Sequence, residues 1–332
     1  MRASRSHNGT NRRHGSLSSE DQVVHVSHEK NGVQIHHRPS AQVHRSSGLP
    51  PPEPALEIGL FPWIFTQTVL PHSQRGSINT GASAPRYFAT NGRSRLHVTS
   101  TSGLAAISHG IPYGGTCRYL IAYLCGLARK KDTPILRFSC SQSKWLADLQ
   151  IGTSGGRNGR LRYIQDQLWR LTTASFRFER FSSVNSRAGV LLNAPFARRA
   201  AFWFDPVDYG SPTPFLIELD PWFFAEISRR GIPLRMATLR HLVRSPLACD
   251  LYAWLTRKVH ALSEMGRPQV TISWSQLHEQ FGPGYTHTRD FRKRALLQIR
   301  KIQSHWPQLQ IDTPRGRLVV FSCPPHVAPA GR

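Results

Sequence analysis

Acidic residues are scarce in this 332-residue chain: 19 Asp and Glu stand against 43 Lys and Arg, a net charge of +24 at pH 7. Such an imbalance calls for a polyanionic partner, either nucleic acid or an anionic membrane surface. The first fifty residues hold only seven Lys/Arg and three acids, so the excess belongs mostly to the body of the chain. That distribution favours a docking surface over a sticky tail. No run of eighteen apolar residues occurs, which removes a membrane-spanning helix. The five cysteines (Cys117, Cys125, Cys140, Cys249 and Cys323) are odd in number and form no Cys-x-x-Cys pair, so a zinc ribbon is not expected. Cys125 and Cys249 sit in apolar helical patterns and read as buried thiols of a protein in a reducing cytoplasm. Glu20, Asp21 and Glu29 interrupt the Arg- and Ser-rich start, which argues against a transit peptide.

Catalytic signatures are missing as well. There is no Gly-x-x-x-x-Gly-Lys-[Ser/Thr] to cradle a nucleotide's phosphates. No His-hydrophobic-His pair could hold the metal that a rolling-circle nicking enzyme needs beside its tyrosine. Glu218 and Asp220 share one side of a strand but lack the nearby lysine of common nuclease sites, so they read as structural acids. No catalytic residue, cofactor or metal ligand is expected. The protein should act by binding.

What is present is an ordered succession of elements. Residues 1–55 are Ser/His/Arg-rich and aperiodic, with too little apolar surface to offset ordering, and read as a disordered tail. Phe61, Trp63 and Phe65 read as core rather than as a dimer contact. Short strands are expected at Tyr87-Phe88 and Leu96-Val98, then a helix from about Gly115 to Lys130 with Leu120, Tyr123, Leu124 and Leu127 on one face. A strand at Ile135–Phe138 and a short helix at Lys144–Leu149, capped by Ser141 or Ser143, come next. A helix from Arg157 to about Leu171 follows a Gly-rich turn. Strands are expected at Phe176–Phe181, Val190–Leu192, Ala201–Asp205 and Phe215–Leu219.

This order returns about 130 residues later. Asp250–Lys258 echoes Tyr119–Leu124, and Val270–Ile272 echoes Ile135–Phe138. A helix at Gln276–Phe281, capped by Ser273 or Ser275, and a helix at Arg289–His305 follow, then a hairpin of Leu309–Ile311 and Leu318–Phe321. Asp220–Val243 supplies extra helices before the second unit. The expected fold is α+β, two tandem winged-helix domains forming a pseudo-repeat. Their bounds are 56–219, including an N-terminal arm, and 220–327, with residues 328–332 as a disordered end.

At 100° per residue, Phe291, Ala295, Ile299, Ile302 and Trp306 form the apolar stripe of the later helix. Arg289, Arg292, Lys293 and Arg300 cluster on a neighbouring face, next to Arg315 and Arg317 of the hairpin. A nearly pure cationic face on the third helix of such a unit suits phosphate and base-edge contact with duplex DNA. In the earlier helix, Leu161, Ile164, Leu168 and Leu171 form the core stripe. Arg157, Asn158, Arg160 and Arg162 lie near its glycine-rich start, where backbone amides favour an anion. Arg187 and Arg198-Arg199 are candidates for the first unit's wing.

Taken in order, these segments resemble the plasmid-encoded RepA family of replication initiators, from about Phe61 to Val327. The resemblance is carried by Thr68-Val69-Leu70-Pro71-His72, Ile111-Pro112-Tyr113-Gly114, Arg118–Leu124, Gly155–Gly159, Gln167–Leu171 and Trp203–Pro206. It continues through Arg244–Leu255, Ile272-Ser273-Trp274, Gln280-Phe281-Gly282, Arg289–Lys293 and Pro324–Val327. It implies an initiator that binds repeated sequences (iterons) in double-stranded origin DNA and recruits host helicase and initiator proteins. It also implies a switch between a repressing homodimer and an initiating monomer. The long His/Arg-rich N-terminus and the short segment around Lys130–Thr133 depart from the family pattern. A nicking or strand-transfer enzyme and a winged-helix transcriptional repressor are the alternative readings; a membrane partner is not expected.

Overall fold

The computed structural model of the protein describes residues 56–74, 86–100, 110–138, 145, 148, 149, 151, 157–183, 188–201 and 215–328. The tail expected over 1–55, the caps Ser141 and Ser143, the turn at 152–156, Arg187, and most of the helix expected at Lys144–Leu149 lie outside these residues. The described chain begins with β1 (Ile58–Phe61) and a single 3-10 turn (Trp63–Thr66). Next come β2 (Arg86–Asn91) and β3 (Ser94–Ser100), a hairpin closed by Gly92-Arg93. Gly92 sits at φ 53°, a left-handed conformation that a residue without Cβ adopts freely.

Helix α1 (Gly114–Lys130) buries Leu120, Leu124 and Leu127, as its spacing requires, with Arg129 and Lys130 at the carbonyl end. Almost every side of it is buried, because β1 crosses it at backbone contact. A Cβ added to Gly126 would lie 2.7 Å from the Gly59 Cα, and one added to Gly59 would lie 2.8 Å from the Ala122 carbonyl oxygen. Only this glycine pair lets strand and helix meet so closely.

Then follow β4 (Ile135–Phe138), α2 (Arg157–Thr172), β5 (Ala174–Phe181), β6 (Gly189–Pro195), β7 (Ala197–Ala201) and β8 (Phe215–Leu219). The sheets divide these strands in a way the sequence pattern did not suggest. β5 and β6 join the first hairpin in a four-stranded antiparallel sheet, β2-β3-β5-β6, while β4, β8 and β7 form a separate three-stranded one. Of the strand expected at Ala201–Asp205, Ala201 is the last residue of β7, which begins earlier, at Ala197; residues 202–205 lie outside the described region.

Helices α3 (Pro221–Arg230) and α4 (Met236–Leu242) occupy the stretch read as extra helices, but β9 (Ile232–Arg235) lies between them and pairs antiparallel with β1. Asp220 caps α3 by accepting the Trp222 N–H at 2.9 Å, ahead of Pro221 in the first turn. The remaining elements are α5 (Pro246–Glu264), β10 (Gln269–Ser273), α6 (Trp274–Phe281), α7 (Thr288–His305), β11 (Ile311–Asp312) and β12 (Arg317–Phe321). Of the two expected caps, Ser273 starts α6. Its hydroxyl accepts the Gln276 N–H at 3.2 Å, and the Gln276 side chain accepts the Ser273 N–H at 3.1 Å. β11 sits at Ile311–Asp312 rather than Leu309–Ile311, because the Leu309 side chain is drawn into the core.

The last sheet has the order β10-β12-β11, the same sequence of first, third and second strand as β4-β8-β7. The 130-residue echo is therefore visible in topology, with the β5–β6 hairpin as the first half's insertion. Among the described residues the architecture is mixed α/β, with seven α-helices and several antiparallel sheets. Buried apolar side chains from both halves belong to one core cluster.

At the junction of the halves sits a buried ion pair. Arg118 of α1 and Asp250 of α5 are 1% and 2% exposed and meet at 2.6 Å (Nε to Oδ1) and 2.8 Å (Nη2 to Oδ2). Arg118 also donates to the carbonyls of Leu70, Pro71 and Gly114, so all five of its N–H groups are used. His72 Nε2 lies 2.9 Å from the second Asp250 oxygen. Burial opposes ionisation of Asp250, but the Arg118 charge and the His72 and Arg118 hydrogen bonds hold its carboxyl below the usual range. Elsewhere across the halves, the Gly92 N–H donates to Glu279 Oε1 at 2.8 Å, and the Gln280 amide donates to the Thr66 carbonyl.

Residues 324–327 fold back onto α5 and the end of α7. The Trp306 indole N–H donates to Pro324 O at 3.2 Å, and the His326 ring stacks on Trp306 at 5.3 Å with Nδ1 2.8 Å from the Tyr252 hydroxyl. Burial, followed by the Arg235 charge, pushes the His326 imidazole down to about 4. An unfolded histidine titrates near about 6.5, so the unfolded chain binds the extra proton first. This residue's contribution to stability is complete above that pH and is lost as pH falls toward 4. A His326→Gln variant should show a shallower decline of thermal midpoint across that interval. Equal slopes for variant and parent would exclude His326 as the titrating group.

Candidate nucleic-acid interface

Helix α7 divides cleanly by face. Phe291, Ala295, Ile299 and Ile302 are buried, and Trp306 closes the stripe as expected. Arg289, Lys293 and Arg300 are exposed and fall within about 40° of one another around the axis. Arg289 is 94% exposed, and its nearest carboxylate oxygen, on Asp290, is 3.9 Å away. Arg294 and Lys301, also exposed, lie further round.

Arg292 behaves differently from its neighbours. It is half-buried, with its guanidinium carbon 5.6 Å from the centre of the Trp274 ring. Trp274, the first residue of α6, is itself buried. Its backbone N–H donates to Gly316 O at 3.1 Å, in the loop between β11 and β12. Gly316 is at φ 75°, and Arg317 pairs in register with Ser273, the residue before Trp274. One tryptophan therefore links α7 to the hairpin that carries Arg315 and Arg317, both exposed. The structure brings Arg292 and the hairpin arginines to the same end of α6.

In the first half, Arg157, Asn158, Arg160 and Arg162 lie in the opening turns of α2, and the Arg162 side chain is exposed. The core stripe Ile164, Leu168 and Leu171 is buried. Further along, Arg170 forms an ion pair with Asp166 at 2.6 Å, and buried Gln167 accepts the Tyr113 N–H at 3.0 Å. This helix is thus held to the Ile111–Gly114 segment by side chains beyond the cationic start. Arg198 and Arg199 are exposed on β7, with Arg199 3.4 Å from Glu218. Glu218 and Asp220 are thereby occupied, one by an arginine and the other by a helix cap.

Among the described residues, no group of three His, Cys, Asp or Glu is placed to hold a metal ion. Cys117, Cys125, Cys249 and Cys323 are free and buried, and burial pushes the Cys117 thiol up to about 12. No described helix is long and apolar enough to cross a membrane.

Two groups of residues are not evident from the sequence pattern. Trp274 is visible there only as part of a motif, although a tryptophan beside a capping serine signals a fixed helix start. The Arg118–Asp250–His72 cluster is signalled by an arginine and an acid in the middle of otherwise apolar helical faces. Three segments that carry the family resemblance, at 68–72, 118–124 and 244–255, meet in that cluster.

Two solved structures of RctB domains 2 and 3 are similar to this chain. Each is 14% identical, covering 78% of this chain and 96% of the other, with TM-scores of 0.48 and 0.42. None of the curated proteins matches. The family profile for plasmid-encoded RepA protein matches residues 111–276, half of the chain. That span runs from the Ile111–Gly114 segment through both partners of the buried ion pair to the start of α6, and the chain belongs to the plasmid-encoded RepA protein family.

Proposed function

We propose that the protein is a plasmid replication initiator that binds repeated sequences in double-stranded origin DNA through two winged-helix units. In this reading α5, β10, α6, α7 and the β11–β12 hairpin form the second unit, with α7 as reading helix and the hairpin as wing. The elements α1, β4, α2 and β7–β8 form the first. The observation that carries the proposal is the division of α7, with its apolar face in the core and Arg289, Lys293 and Arg300 exposed beside a wing bearing Arg315 and Arg317. Exposed arginines and lysines neutralise phosphates, and arginine can contact guanine O6 and N7 with two hydrogen bonds. Arg157, Asn158, Arg160 and Arg162 of α2 would serve the first unit in the same manner. The protein acts by binding, in the cytoplasm of the plasmid's host, and recruits host helicase and initiator proteins once seated. A homodimer would repress and a monomer would initiate.

Footprinting the purified protein across its own plasmid tests this. Protected direct repeats in the origin are expected, and protection should fade steeply with added salt. Protection confined to a promoter, with no effect on replication of an origin-only plasmid, would turn the reading to a repressor. Nicking of supercoiled origin DNA in Mg²⁺ would turn it to an enzyme.

A further inference from the structure

The four-stranded sheet β2-β3-β5-β6 has one face in the core and one open. Tyr87, Leu96, Val98, Phe176 and Phe178 point inward and are buried, so the alternate residues point out. A single cross-strand row traverses the open side: Phe88 pairs with His97, His97 with Arg177, and Arg177 with Asn193. Phe88 is 48% exposed, the only aromatic among the exposed large apolar side chains of the described residues. Its ring meets His97 edge to face at 4.6 Å. The rows on either side add Arg86 and Arg95, both exposed. Among the described residues of this face the one carboxylate is Glu179, and Arg177 holds it at 2.9 Å. An exposed aromatic row within a field of arginines has no role in the core or in the duplex-binding helices.

We propose that this open sheet face binds single-stranded nucleic acid, with bases stacked on Phe88 and His97 and phosphates held by Arg86, Arg95 and Arg177. The charge of the face is complementary to a phosphate backbone. A duplex keeps the flat sides of its bases inside its own stack, whereas a single strand offers them to an aromatic platform. Burial, followed by the opposing influences of Glu179 and of Arg177 and Arg95, lowers the His97 pKa, so the ring is neutral near pH 7 and available for stacking. The site is separate from α7 and its wing, and does not depend on their assignment. The occupant is single-stranded DNA, as an origin opened beside its bound initiator would supply, and in that choice of strand the inference rests on the proposed function.

Fluorescence anisotropy with the full chain tests the site. Labelled oligothymidylate of about 20 nucleotides should bind, and Phe88→Ala should weaken it roughly tenfold or more, while Phe88→Trp retains it. Phe88 is a surface residue, so these variants should keep the parent's thermal midpoint. Phe88→Ala should leave binding to a footprinted duplex repeat unchanged, and Arg289→Ala with Lys293→Ala should do the reverse. Failure of the duplex reading would thus show in the second pair and leave the first intact. Oligothymidylate should bind more tightly than oligouridylate; the opposite order would make the occupant a transcript and overturn the assignment. Absence of single-strand binding, or equal affinity of Phe88→Ala and parent, overturns the proposal. So does a Phe88→Ala variant whose only change is loss of self-association, since the face would then pair two copies.

Discussion

Replacing Arg118 with Met is expected to lower unfolding free energy by about 3–5 kcal/mol, because it leaves Asp250 charged, buried and without its principal partner. The carbonyls of Leu70, Pro71 and Gly114 each lose a guanidinium N–H at the same time, although Pro71 keeps the Gly114 N–H. Urea denaturation followed by circular dichroism would measure the loss. An Arg118→Met, Asp250→Leu double variant removes both charges and should recover much of it, since the remaining cost is packing rather than an orphaned carboxylate. If the single variant unfolds at the parent's midpoint, the pair has no structural weight. The pH dependence has a defined sign. Asp250 has a depressed pKa in the folded protein, so its contribution is present above the unfolded aspartate's pKa and lost as pH falls through the folded one. The parent should therefore weaken in acid, below about pH 4, more steeply than the double variant.

Removing Arg292 and Lys293 together should produce the largest loss of function, about 1–3 kcal/mol for each base pair left unread, measured as affinity for a footprinted repeat. The two residues are predicted to act unequally. Lys293 is exposed, so Lys293→Ala should weaken binding to all duplexes and reduce the salt slope. Arg292 is held against Trp274, which is tied to the β11–β12 loop, so Arg292→Ala should chiefly erode discrimination between repeat and random sequence. Competition titrations with both duplexes separate these outcomes. Undiminished repeat binding by the double variant would remove α7 as the reading helix.

The periodic parts of the chain are legible because one dominant force, burial of an apolar stripe, sets their pattern. The spacing places helix α1 to within a residue, and the buried face of α7 follows from its spacing alone. The Ser273 cap is one of two local choices, and the Gln276 side chain three residues on decides it. Boundaries slip where strands have little pattern of their own. β7 carries Ala-Arg-Arg-Ala-Ala, a stretch with no alternation, and its place is set by pairing with β8.

Composition and order by themselves determined a basic body, the succession of helices and strands, their repetition and the cationic side of α7. Those properties are local, arising from residues within a few turns of one another. Tertiary structure alone decided that β5 and β6 leave their neighbours for the β2–β3 hairpin, that β1 crosses α1 at two glycines, and that Arg118 finds Asp250. Each of these joins segments far apart in the chain. Strand edges and single charges carry no address for their partner in a linear pattern, and the choice is made when the shared core excludes water.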